Sequence, residues 1–372
     1  RRQDGLLPGA GLDQRFLNDN AELNEIVRDP SRAGPNETVA LTTLDLALKQ
    51  YQWRDIDFLK IDAEGEEAAI IRGGTAFFKQ LSPLVQFEVK AGEHLHLELV
   101  SQFQEIGYSA YRLVPGLNLL APFDPQGFVD GYLLNLFCCK TDRAEQLASQ
   151  GLLITEAASQ ALPSGDVLLQ RHDAHKRYAW LQTLAAKPYG RLLTEHWQQA
   201  EGKPESKEVV DCLALHAIAH DRQLSTAERY AALKASLDGL VAVCNRNASF
   251  LRVLSLARVA REFGARSLAV QCLNHFVQHC TSGGTINVSE PFLAACARFD
   301  DVEPGKELGN WVVGSALEEL EKNAAFSSFY SGPASMQRLL LIQQLGFGSP
   351  EMARRLALLK RRYPNHFGQS AR

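Results

Sequence analysis

The apolar positions in the first third of the chain come in short dense runs bounded by Gly, Pro or charged residues, a pattern that predicts strands. The runs are Val39–Thr42, Ile56–Ile61 and Leu84–Val89. Ile56, Phe58, Leu59 and Ile61 fit a strand buried on both faces, with Lys60 the exception. Between the runs the spacing turns helical. Thr43 as N-cap and Asp45 in the first turn predict a helix through Tyr51. Glu66–Arg72, ended by Gly73-Gly74, and Thr75–Leu81, stopped by Pro83, predict two more. Leu97–Ile106, closed by Gly107, reads as an amphipathic helix, and Tyr108–Val114 with Tyr132–Cys139 as a final strand pair. The connection Pro115–Gly131 is long for a hairpin and reads equally as a lid or acceptor loop and as an ordinary surface loop. Residues 1–38, polar and rich in Asn, Asp, Gly and Pro, read as connecting loops with one short helical candidate at Ala21–Arg28.

From Thr141 onward the pattern predicts helices only: Leu168–Leu184, Tyr189–Gln199, Glu208–Arg222, Thr226–Cys244, Phe250–Phe263, Arg266–Cys280, Pro291–Phe299, Leu308–Lys322, Ala334–Leu345 and Pro350–Arg361. Two joins, at Gly264 and Gly346, repeat a helix, Gly turn, helix arrangement. That is reminiscent of tetratricopeptide-like solenoids, in which a helix pair buries its apolar face by stacking on the next pair; a plain helical bundle fits nearly as well. The expected fold class is therefore α/β followed by all-α, with a doubly wound sheet domain over 1–140 and a helical domain over 141–372.

The candidate chemistry sits where the Ile56–Ile61 run ends abruptly in Asp62, Ala63, Glu64, Gly65, Glu66 and Glu67. Ligands of parallel α/β sheets bind outside the carboxyl ends of the strands, which puts Asp62 and Glu64 where a cofactor or substrate is met. Glu66 and Glu67 charge the start of the following helix, where unpaired amides and the macrodipole favour negative charge. Glu88 falls near the end of a second strand, and Lys60, an ammonium expected to be buried, needs a carboxylate partner such as Asp62 or Glu88. His94 and the less favoured His96 follow that second strand end and suit a general base near neutral pH.

These residues carry a family resemblance. Thr42-Thr43-Leu44-Asp45, the KIDAEG run Lys60–Gly65, the IIRGG run Ile70–Gly74 and the PLVQFEV run Pro83–Val89 occur in that order, and together resemble the C-terminal part of the FkbM family of methyltransferases. Ala63 stands where that family usually has valine, a change of packing volume rather than of chemistry. The resemblance covers roughly residues 39–140. It implies a Rossmann-like sheet, S-adenosylmethionine as cofactor, and transfer to a hydroxyl of a sugar or other secondary metabolite, a small-molecule or glycan acceptor. The resemblance strengthens Asp62 and Glu64, and together with the strand-end positions of the others the catalytic candidates are Asp62, Glu64 and His94 and the cofactor-binding candidates Asp62, Gly65 and Glu88. Class I methyltransferases hold the cofactor with a Gly-rich turn after their first strand and an acid after the next; neither occurs before Asp57. The sequence therefore reads as N-terminally truncated, a fragment expected by itself to bind the cofactor poorly and to be inactive.

Composition narrows the picture further. With 372 residues, 45% apolar and a net charge of −4, the chain has room for two domains and lacks the basic surface of a nucleic-acid binder. No run approaches the roughly 20 apolar residues of a membrane span, and the expectation is a cytoplasmic chain with neither nucleic-acid nor membrane partners. The seven cysteines lack CxxC spacing and read as reduced thiols. His216/His220 and His275/His279 have the i, i+4 spacing of a metal pair, but without an adjacent carboxylate set they read as helix-surface histidines, and no metal site is expected. A second functional class stays open: the helical region as a protein-binding scaffold, with the sheet as a non-catalytic neighbour.

Overall fold

The computed structural model describes residues 15–18, 26–27, 36–39, 41–63, 65–91, 94–172, 181–200, 204–281, 288–325 and 332–364. They divide into two compact units, the first formed by Arg1–Leu113, Leu120–Val129 and Leu133–Glu156, the second by Val114–Leu119, Asp130–Tyr132 and Ala157–Arg372. The architecture is α/β followed by all-α, as the hydrophobic pattern predicts.

The first unit opens with a small antiparallel sheet in which β1 (Arg15–Asn18) pairs with both β2 (Ile26–Val27) and β3 (Asn36–Val39). This corrects the reading of residues 1–38 as loops, and Ile26 and Val27, inside the helical candidate Ala21–Arg28, are strand; the rest of that candidate lies outside the described residues. Thr43 caps α1 (Leu44–Tyr51), its hydroxyl accepting from the Leu46 amide at 3.2 Å. Then follow β4 (Phe58–Ile61), α2 (Glu67–Arg72), α3 (Thr75–Gln80), β5 (Leu84–Glu88) and the two-residue strands β6 (Lys90–Ala91) and β7 (His94–Leu95). α4 (Glu98–Glu105), β8 (Ser109–Val114), β9 (Leu119–Pro122), β10 (Asn135–Cys139) and α5 (Thr141–Ser149) complete the main elements.

The main sheet has five strands in the order β4-β5-β10-β8-β9. β4 and β5 are parallel, while β10 runs antiparallel to both β5 and β8, so β4, β5 and β8 point the same way. Two expectations change here. β4 ends the order rather than lying inside it, and Phe58 is 51% exposed, so the strand is not buried on both faces and Lys60 faces solvent. The connection Pro115–Gly131 is not one open loop, because β9 lies within it, its Leu119, Leu120 and Ala121 buried.

The core is an aromatic cluster that clamps helices onto the sheet. Phe78 meets Phe103 and Tyr108 edge-on at 5.8 and 5.7 Å, and Phe87 on β5 lies 4.8 Å from Phe103 on α4. The buried Tyr108 hydroxyl donates to the Leu81 carbonyl at 3.3 Å, which satisfies the polar atom such a ring brings inside. α5 packs with this unit: Asp142 accepts from Ser82 at 2.7 Å, and Arg143 donates to the Ser82 carbonyl and to Asp57, each at 3.0 Å.

The second unit contains α6 (Glu156–Gln160) from its second residue onward, α7 (Gly165–Arg171), α8 (Pro188–Ala200), α9 (Pro204–His220), α10 (Thr226–Arg246), α11 (Phe250–Phe263), α12 (Arg266–Thr281), α13 (Leu308–Asn323), α14 (Pro333–Gln344) and α15 (Pro350–Arg362). From α9 onward each helix packs against its chain neighbour. Gly264, at φ +96°, closes α11 in the left-handed conformation that glycine adopts without strain.

Pro291–Phe299, expected as a helix, is not one. Its first residues are irregular and buried, and only Ala297–Asp301 forms a 3-10 turn. Side chains replace the helical ladder: Tyr189 donates to the Phe292 carbonyl at 3.1 Å, Arg258 to the Ala294 carbonyl at 3.1 Å, and the Leu293 and Cys296 amides donate to Ser255 and Ser315 at 3.0 Å. The local propensity loses to partners distant in sequence, which backbone groups out of water must find.

α13 is buried nearly all round and carries Glu318, Glu319 and Glu321 inside. Glu318, fully enclosed, accepts from Arg298 at 2.6 Å and Lys322 at 2.7 Å. Removing one member of a buried ion pair costs about 3–5 kcal/mol, and because Arg298 and Lys322 are 34% and 32% exposed the lower end applies. Glu318→Ala is therefore expected to destabilise the second unit by about 3 kcal/mol in urea unfolding; a loss below a few tenths would show that the pair contributes nothing.

Candidate active site

β4 and β5 bring two carboxylates to one end of the sheet. Their parallel register pairs Ile61 with Phe87, so the next residues along, Asp62 and Glu88, stand side by side. Lys60 and Asp62, two residues apart on an extended segment, share a face, and the Lys60 ammonium donates to Asp62 Oδ2 at 2.6 Å. The hydrogen bond from Lys60 and a second one shared with Glu88 hold the Asp62 carboxyl below the usual carboxylate range, and the Lys60 ammonium is raised in turn by its bond to Asp62. Asp62 is the partner foreseen for Lys60, although the pair is solvent-facing rather than buried.

The loop after β4 is shaped from within. Glu67, 7% exposed, turns back so that Oε1 accepts from the Ala63 amide at 2.8 Å, and the Glu66 amide donates to the Ala63 carbonyl at 3.2 Å. Glu67 thus does more than charge a helix start; it ties the loop to α2. Gly65 sits at φ +97°, where an L side chain is strained, so the loop conformation requires glycine there. Glu64 lies outside the described residues. His94 is exposed on β7, and His96 is engaged with Glu98, Nδ1 to Oε1 being 2.7 Å. The structure therefore brings Asp62, Glu88 and Lys60 together, with Gly65 shaping the adjoining turn, while His94 stands on the short β6–β7 ribbon that follows β5.

A second concentration of polar groups, in the helical unit, escapes sequence reasoning. His216 is buried rather than on a helix surface, and Glu262 from α11 joins it and His220. Burial drives His216 below its ordinary value although Glu262 opposes this; Glu262 stays well below the carboxylate range despite burial, held there by the Arg258 guanidinium and by hydrogen bonds from His216 and His220. The signal that could have found this cluster is Arg258 with Glu262, an i, i+4 charge pair on a helix whose other buried residues are mostly Leu, Val and Ala. The other histidine pair, His275 and His279, stacks on Phe250. The cysteines are free, five of them buried, and burial raises their thiols.

Adjacent parallel strands that end in carboxylates, on a sheet flanked by helices, define an α/β domain of the kind that binds cofactors at its strand ends. Residues 14–110 match the family model described as the Methyltransferase FkbM domain, which is consistent with a partial domain of that kind, and helices follow this segment in the chain. No curated protein and no solved structure shows a significant match to the chain.

Because Asp62 has a lower pKa in the folded chain than in the unfolded one, its pairing adds stability above about pH 4 that is lost as pH falls through the folded value. Lys60→Met removes the chief cause of the depression. In a carboxyl NMR titration Asp62 is expected to titrate below about 3.9 in the wild type and closer to that value in the variant; an Asp62 pKa indifferent to Lys60 would overturn the pairing.

Proposed function

We propose that the first unit is the catalytic part of an S-adenosylmethionine-dependent O-methyltransferase whose acceptor is a hydroxyl on a sugar or other secondary metabolite. The observation that carries this reading is the juxtaposition of Asp62 and Glu88 at the ends of two parallel strands inside the segment that matches the FkbM domain. The donor set fits the cofactor: carboxylates at a strand end accept hydrogen bonds from an ammonium group and from ribose hydroxyls. When bound, S-adenosylmethionine supplies a methyl group made electrophilic by its sulfonium sulfur.

The chain's own residues bind, orient and accept a proton. Asp62 and Glu88 would hold the ammonium or ribose side of the cofactor, beside the turn that Gly65 permits at φ +97°. Asp62, with Glu64, would orient the acceptor hydroxyl, and His94 would be the base that takes its proton. The Lys60–Asp62 ion pair keeps Asp62 ionised, which is the state that can accept those bonds.

Asp62→Asn keeps the shape and removes the charge. Losing a charge-assisted hydrogen bond used in the transition state costs a few kcal/mol, so methyl transfer by the full-length protein is expected to fall on the order of 10²-fold or more. Methyl transfer and thermal unfolding are to be measured side by side; unchanged turnover with a lowered melting temperature would assign Asp62 a structural role and overturn this one.

A further inference from the structure

The i, i+4 spacing stacks His216 and His220 one turn apart on α9, with ring centroids 4.5 Å apart. Glu262 on α11 reaches both. Its Oε2 is 2.7 Å from His216 Nε2 and 3.0 Å from His220 Nε2. Its other oxygen, Oε1, accepts from Arg258 Nε. Two imidazole nitrogens and one carboxylate oxygen thus lie within 4.8 Å of one another.

This cluster borders a cavity of about 500 Å³ in the helical unit, lined among others by Lys187, His216, His220, Arg258 and Asp300. Asp300 accepts through Oδ2 from Lys187 at 2.9 Å and from Arg258 at 3.3 Å. Its Oδ1 is buried without a hydrogen-bond partner.

We propose that His216, His220 and Glu262 bind a zinc ion whose remaining coordination position opens on this cavity. Two imidazoles and a carboxylate are a donor set zinc takes when one position is left to water or a ligand, and two histidines four residues apart on a helix are a standard way to present the nitrogens. Arg258 is the outer partner such a site needs: bound to Oε1, it orients Glu262 and leaves Oε2 to the metal. Asp300, whose Oδ2 accepts from both Lys187 and Arg258, fixes that guanidinium from its other side.

Without a metal, both rings direct Nε2 at the same carboxylate oxygen, so the three atoms already converge on one point. The helix supplies no general base in the zincin position, since Ala217 follows His216. The inference is therefore confined to metal binding.

The test is calorimetric titration of the chelator-treated full-length chain with zinc, and optical titration with cobalt(II). One equivalent is expected to bind, with ligand-field bands of four-coordinate nitrogen and oxygen ligation and a raised melting temperature. Thiolate charge-transfer absorption as the sole signal would assign binding to the cysteines and overturn the site. His220→Gln, at a partly exposed position, and Glu262→Gln, nearly isosteric, are each expected to weaken zinc by at least the ~10–100-fold that loss of an outer partner alone costs. Circular dichroism checks that each variant is folded. Absence of stoichiometric binding to the wild type, or undiminished affinity in a folded His220→Gln chain, would refute the proposal.

Discussion

A carboxylate taken out of water must be met by donors, and that requirement fixes much of which elements lie beside which. In the helical unit the acids of α13 act as anchor points. Glu318 takes Arg298 from the 3-10 segment, Glu319 takes Arg261 from α11, and Glu321 takes Arg338 from α14 and Arg355 from α15. Apolar packing alone would tolerate sliding of these helices past one another, whereas a misplaced Glu321 would leave a charge buried and unmatched. The same rule operates at smaller scale in the first unit. Asp45 at the start of α1 accepts from the Ala76 and Phe77 amides at 3.1 and 2.8 Å, so one carboxylate caps α3 across 31 positions of chain.

The legibility of the sequence follows from how local each determinant is. Thr43 as a cap, the helix over Phe250–Phe263, the strand that opens at Leu84 after Pro83 and the acid at the end of β4 all depend on residues within a turn or two of themselves, and the structure has them. The exposure of Lys60 is not legible, because the apolar run around it says nothing of whether a strand ends the sheet. The irregular path of Pro291–Cys296 is not legible either, because its helical periodicity is overruled by Tyr189, Arg258, Ser255 and Ser315, none of them near it in sequence. β9 was hidden for a related reason: a short run inside a Pro- and Gly-rich stretch becomes a strand only where β8 offers an edge. Histidine spacing showed half of the His216–His220–Glu262 cluster; the other half needed the third dimension.

The two clusters answer differently to an incoming ligand, because their solvent exposure differs. Asp62 and Lys60 are 36% and 53% exposed, and an ion pair in that setting is worth only about 0–1 kcal/mol. A ligand ammonium or hydroxyl can therefore take over the Asp62 carboxylate at little cost, the carboxylate remaining ionised throughout. Glu262 is 7% exposed on its side chain and bound on both oxygens. An apolar ligand that displaced its histidine contacts would strip a buried charge of donors and could not restore them. A cation can, since it replaces two hydrogen bonds to one carboxylate oxygen with a direct charge contact and turns the imidazole nitrogens from donors into ligands. Exposure thus suits the strand-end carboxylates to organic ligands that come and go, and burial suits the helical cluster to an ion.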